Sequence, residues 1–197
     1  MYRPRLSENT PTPMQGNKWW YSSGNIYWPN YGLPNCTCYC YGRVAEIANQ
    51  FKWCPAGDGK EWYDKFLNHI AQTGEYSVGY WPKLGGVMCY TPECIDPDDP
   101  QDPFYTEGGH VSIVEEVIPD GQGGVEACVT SNSAYNGSYF WTERVHVLDD
   151  FRSSWMFPPT RHYIYQGCVY VTPDNPIDYF AKGNDDPIWM YLRYRKN

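Results

Sequence analysis

GLPNCTCYCYGR, residues 32–43, reads as the entry to a helix. Asn35 is a favoured N-cap, because its side-chain oxygen accepts from the open amides of a first turn. Beyond it, Cys40, Val44, Ile47, Ala48 and Phe51 recur at the three- and four-residue spacing of one helical face, which carries the helix to about residues 53–55. Cys36 then falls in the first turn, where the helix dipole and unpaired N–H groups favour an anion and lower a thiol pKa. Most free cysteines are small buried hydrophobes, so Cys36 gains chemical meaning only if the chain also supplies a base.

Working outward, residues 1–31 hold Pro, Asn, Ser, Tyr and Trp without periodicity and read as an irregular aromatic arm. After the first helix, Pro55, Gly57 and Gly59 make a turn. A second helix follows from Lys60 to Gln72, with Trp62, Phe66 and Ile70 on its face and Gly74 as its stop. From there the period changes to that of strands: Gly86–Tyr90, His110–Ile118, Val125–Ser131, Tyr139–Val147 and Tyr163–Val171. The Gly-rich turn at 119–124 joins two of them as a hairpin. Helices first and an antiparallel sheet afterwards is an α+β order. The domain proper is expected over 32–172, with 173–197 as a tail too short for a further module.

Composition narrows the partners. A net charge of −8 with scattered basic residues excludes nucleic acid as a partner. No run reaches membrane-spanning length, and the first thirty residues lack the apolar core of a signal peptide. Aromatics are 18% of the chain, more than a core this size needs. Trp19, Trp20, Tyr27, Trp28 and Tyr135 are therefore expected to line a groove beside Cys36. The cysteines Cys36, Cys38 and Cys40 cannot cross-link along one helix, and C-x-C-x-C is no zinc spacing. Mostly free thiols are expected, although Cys89 and Cys94 are close enough in sequence to pair in an oxidising medium. The acidic stretch holding Asp96, Asp98, Asp99 and Asp102 matches no calcium loop and reads as solvated, so no metal and no cofactor is expected.

Of the four histidines, His110 has the setting of a base. It follows Gly108 and Gly109, which admit close approach, and it opens an apolar strand. A base needs an acceptor to orient its ring. Asn132, at the end of the next strand, is the candidate, with Ser131 and Ser133 beside it as alternatives.

These pieces resemble a family. Asn35-Cys-Thr-Cys-Tyr-Cys-Tyr-Gly-Arg43 resembles the N-C-T-x-Y-x-x-G-R signature of CHAP domains, the cysteine, histidine-dependent amidohydrolases/peptidases. Gly109-His-Val-Ser-Ile-Val-Glu115 is similar to their second signature. Between them, Trp62, Tyr76-Ser-Val-Gly79 and Pro82-Lys-Leu-Gly-Gly-Val87 follow the connecting pattern in order. Gln166-Gly-Cys-Val-Tyr170 is similar to the strand that closes such domains in phage lysins. The resemblance implies a papain-like fold that cuts an amide bond in bacterial peptidoglycan, as amidase or endopeptidase. By it Cys36 is the nucleophile, His110 the base, and the third position falls in Ser131–Ala134, with Asn132 where many relatives carry Glu. Asn35 would support the oxyanion. A phage-lysin setting implies synthesis in a bacterial cytoplasm and action on the wall after release. The rival reading is a non-hydrolytic virion or wall-binding protein that keeps the fold, against which the intact Cys36/His110 pair argues.

Overall fold

The computed structural model describes residues 2–6, 17–79, 82–90, 108–121, 125–134, 137, 139–146 and 161–165. Helix α1 spans Cys36–Ala48 and α2 spans Gly59–Thr73. Six strands follow among the described residues: β1 (Ser77–Gly79), β2 (Val87–Tyr90), β3 (His110–Pro119), β4 (Val125–Asn132), β5 (Trp141–His146) and β6 (Arg161–Tyr165). They form one antiparallel sheet in the order β1-β6-β2-β3-β4-β5. The expected α+β architecture, N-terminal helices on an antiparallel sheet, is what forms.

The two helices begin and stop for local reasons. Asn35 caps α1, its side chain accepting from the Cys38 N–H at 2.8 Å. Asp58 opens α2 with a capping box, its N–H donating to the Glu61 carboxylate at 3.1 Å. Gly74, left-handed at φ 69°, closes α2. Helix α1 ends earlier than the hydrophobic spacing predicts. Asn49 turns left-handed at φ 53° and caps it at Ala48, so Phe51 lies beyond the helix and is exposed. Asparagine tolerates that conformation better than other non-glycine residues, and this stop overrides the apolar period. Strand β1 is an addition, too short to stand out in the sequence.

Along β2 and β3 the alternation turns Val87, Cys89, Val111 and Ile113 toward the helices, where they pack with Cys40, Val44, Ile47, Trp62 and Phe66. Met88, Val114, Cys128 and Val145 form a second buried cluster. Helix α1 is buried on nearly every side, since the arm covers what the sheet does not. Trp20 lies on Gly42, where an added Cβ would fall 2.4 Å from the indole, and donates its N–H to the Tyr39 carbonyl at 2.9 Å. Tyr27 stacks on Trp62 and donates its hydroxyl to the Pro55 carbonyl at 2.7 Å.

The aromatic groove therefore needs correcting at two positions. Trp20 and Tyr27 are 0% and 5% exposed and belong to the core, which uses their apolar faces while backbone oxygens take their polar ends. Trp19 and Trp28 are half-buried, against Phe51 and Tyr21 respectively. Tyr135, the acidic stretch, the segment 166–170 and the tail lie outside the described residues. The described cysteines, 36, 38, 40, 54, 89 and 128, are all free thiols, and only Cys36 is not fully buried.

Candidate active site

The N-termini of both helices converge on the start of β3. The Lys60 N–H of α2 donates to the Gly108 carbonyl at 2.8 Å. Gly109 sits at φ 65°, and a Cβ there would fall 2.8 Å from the Lys60 backbone nitrogen. A Cβ on Gly59 would meet the His110 backbone at 3.2 Å. The approach requires a glycine at 109, one of the two the sequence sets before His110, while Gly59, which the sequence offers only as a turn residue, brings the start of α2 close to the His110 backbone.

Cys36 comes to the same corner from α1. The backbone N–H of Val111, the residue after His110, reaches its sulfur, as do those of Thr37 and Cys36 itself. Burial nevertheless outweighs these donors, and with the nearby charge of Asp58 it pushes the thiol above its ordinary pKa. The lowered pKa expected from the helix start alone is corrected here: desolvation is the larger effect.

His110 is 4% exposed, and burial lowers its pKa to about 4, against the opposing effect of its bond to Asn132. Its Nε2 lies 3.0 Å from Asn132 Oδ1. The amide of Asn132 is itself oriented, because Nδ2 donates to Thr130 Oγ1 at 3.0 Å and to the Thr130 carbonyl at 3.3 Å. The oxygen therefore faces the ring, Nε2 carries the proton, and Nδ1 keeps the lone pair that a base needs. Burial of both groups favours the uncharged forms, a neutral thiol and a neutral imidazole.

The alternatives for the third position have other partners. Ser131 Oγ donates to Glu115 Oε1 at 2.7 Å and accepts from the Tyr39 hydroxyl at 2.9 Å. Ser133 Oγ accepts from the Asn35 N–H at 3.2 Å, tying the helix cap to the end of β4. Asn35 Oδ1 is taken by the Cys38 N–H and the Thr37 hydroxyl, so this side chain supports the site as a cap.

Sequence reasoning missed Trp141. It is the cross-strand partner of Asn132, and its ring stacks on His110 with centroids 6.1 Å apart and planes 20° from parallel. The signal was there in the aromatic opening the strand after Asn132, but its register needs the hairpin geometry. Also missed was the ion pair between Arg43 and Glu115, the last residues of the two signatures, at 2.8 Å.

Among the described residues no group of three or more His, Cys, Asp or Glu side chains is arranged to hold a metal ion. No described helix is long and apolar enough to cross a membrane.

No curated protein matches the chain. Among solved structures it is similar to a crystal structure of N-acetylmuramoyl-L-alanine amidase from Staphylococcus aureus, at 22% identity and a TM-score of 0.46. That similarity covers 69% of this chain and 31% of the amidase chain, so the overlap is under a third of the latter's length. The CHAP domain family matches residues 24–132, a span that holds Cys36, His110 and Asn132. That span is more than half of the sequence, and the chain belongs to the CHAP domain family.

Proposed function

We propose that this chain is a peptidoglycan hydrolase that cuts an amide bond by a Cys36 thiol mechanism. The observation that supports it most is the oriented His110–Asn132 pair, together with a half-buried cysteine at a helix N-terminus whose sulfur meets the backbone N–H of Val111, next in the chain to His110. In this reading the resting site holds a neutral thiol and a neutral imidazole. As substrate binds, His110 Nδ1 takes the thiol proton while the sulfur attacks the amide carbonyl. The Cys36 backbone N–H, at the open end of α1, donates to the oxyanion. Imidazolium Nδ1–H then protonates the leaving amine as the C–N bond breaks, leaving a thioester on Cys36. His110 removes a proton from water, which attacks the thioester, and the departing thiolate recovers that proton. Asn132 holds Nε2–H throughout, which leaves the Nδ1 lone pair to serve as the base.

A base of depressed pKa is a weak proton acceptor, but its conjugate acid is a strong donor. The same environment therefore favours expulsion of a poor amine leaving group. The scissile bond is the lactyl–L-Ala amide or a peptide bond of the stem or cross-bridge. The setting we propose is that of a phage lysin, made in a bacterial cytoplasm and acting on the wall after release. Mass spectrometry of purified wall digested by the protein tests this reading. New amino termini at L-Ala identify an amidase, new termini within the peptides an endopeptidase, and an intact wall contradicts hydrolysis.

A further inference from the structure

The carboxylate of Glu115 is 1% exposed and surrounded by donors drawn from three segments of the chain. Oε1 accepts from Arg43 Nε at 2.8 Å and from Ser131 Oγ at 2.7 Å. Oε2 accepts from Arg43 Nη2 at 2.8 Å, the Tyr2 hydroxyl at 2.7 Å and the Arg5 N–H at 3.0 Å. Residues 2–5 are held further by Arg43 Nη2, which donates to the Arg3 carbonyl at 2.7 Å. The Arg5 guanidinium bonds both oxygens of Glu46 at 2.8 Å and lies over the Trp20 ring, 4.9 Å from its centroid.

A buried ion pair is a poor device for stability alone, because desolvation cancels much of the attraction. Its better-attested use is to fix register, and register is at stake here. The β3–β4 ladder shifts between Val114 and Glu116, so strand alternation does not by itself dictate which β4 residue lies beside His110. Glu115 sits at that shift and grips Ser131, the residue before Asn132. A slip of one residue would bring Ser131 or Ser133 to the place of Asn132 and send the amide to the other face.

We propose that Glu115 is a positioning residue for the His110–Asn132 pair, and that Tyr2–Arg5 form a clamp that holds Glu115 in place. The N-terminal segment, whose Tyr2 hydroxyl also reaches the Val114 carbonyl of β3 at 3.2 Å, is then a working part of the site. This rests on the role given to His110 and Asn132 above. Tyr2 remains a donor at any working pH, since burial and the Glu115 charge hold its phenol far above the ordinary range.

The test uses the full chain carrying Tyr2→Phe, Ser131→Ala or Glu115→Gln. For each, kcat and KM are measured on wall, and the ring nitrogens of His110 are read by ¹⁵N NMR. In wild type, Nε2 should be the protonated nitrogen with slowly exchanging hydrogen. Tyr2→Phe and Ser131→Ala should fold, lower kcat roughly 3- to 30-fold with KM unchanged, and give faster exchange at Nε2–H. Glu115→Gln should do the same more severely; if it fails to fold, the two milder variants decide. Folded variants with a lower melting temperature but unaltered kcat and unaltered His110 resonances would overturn the proposal, leaving Glu115 a structural ion pair. The NMR reading needs no substrate, so it stands even if the wall proves not to be cut.

Discussion

Trp141 stands directly across the β4–β5 ladder from Asn132, and its indole stacks on the ring of His110. One cross-strand pair thus supplies both an acceptor for the His110 ring N–H and an aromatic face stacked on the same ring. Aromatic pairs of this kind are worth about 0.5–1.5 kcal/mol. Trp141→Ala should therefore lower kcat roughly 2- to 10-fold, and Trp141→Phe should recover most of the loss. Equal activity of Trp141→Ala and wild type would show that the stack is mere packing.

Asn132 bears on how the proton is held. Asn132→Ala should slow turnover by about 10- to 1000-fold without abolishing it, since an orienter and a single placed hydrogen bond contribute on that scale. Asn132→Asp would set a negative charge against the ring and raise the His110 pKa from its depressed value of about 4. The acid limb of the pH–rate profile should then move to higher pH than in wild type. Unchanged turnover in Asn132→Ala would remove Asn132 from the mechanism.

His110 also links stability to pH. Its folded pKa of about 4 lies below the ordinary histidine value of 6.5, so the unfolded chain takes up the proton first. The contribution, up to roughly 3 kcal/mol, is fully present above pH 6.5 and is lost as pH falls through 4. Denaturant unfolding at pH 7 and pH 4 measures it. Wild type should lose more stability over that interval than His110→Gln, by up to that amount, and equal losses would contradict a buried neutral imidazole.

The sequence made the two helices and most of the strands legible because their signals are local: caps at Asn35 and Gly74, apolar spacing at Trp62 and Phe66, a Gly-rich turn before Val125. Cys36, His110 and Asn132 could be singled out for a similar reason, each lying at the mouth of a helix or the end of a strand, and the structure brings the last two together at 3.0 Å. What the sequence hid depends on distance along the chain. Trp20 and Tyr27 look like surface aromatics until the arm folds over α1, and Trp141 gains its role only from hairpin register. Burial of the Cys36 corner is likewise a tertiary property, which is why the helix start alone misjudges the thiol pKa.

Gly109 combines a left-handed backbone with a close backbone neighbour. Its φ of 65° disfavours any side chain, and a Cβ would fall 2.8 Å from the Lys60 backbone nitrogen. Gly109→Ala should cost roughly 2–4 kcal/mol from left-handed strain and overpacking together. It should also displace His110, so activity in the folded fraction should fall too. A melting temperature within a degree of wild type would contradict the close approach.

The central claim is that Cys36 carries the chemistry, and clearing of a wall suspension by wild type and Cys36→Ala, at matched folded concentrations and with and without EDTA, tests it most directly. Wild type should clear the suspension in either buffer, and Cys36→Ala should not clear it in either. Clearing by Cys36→Ala at the wild-type rate would contradict the thiol mechanism, and wild-type clearing that required Ca²⁺ after EDTA would assign a part to the acidic residues Asp96–Asp102.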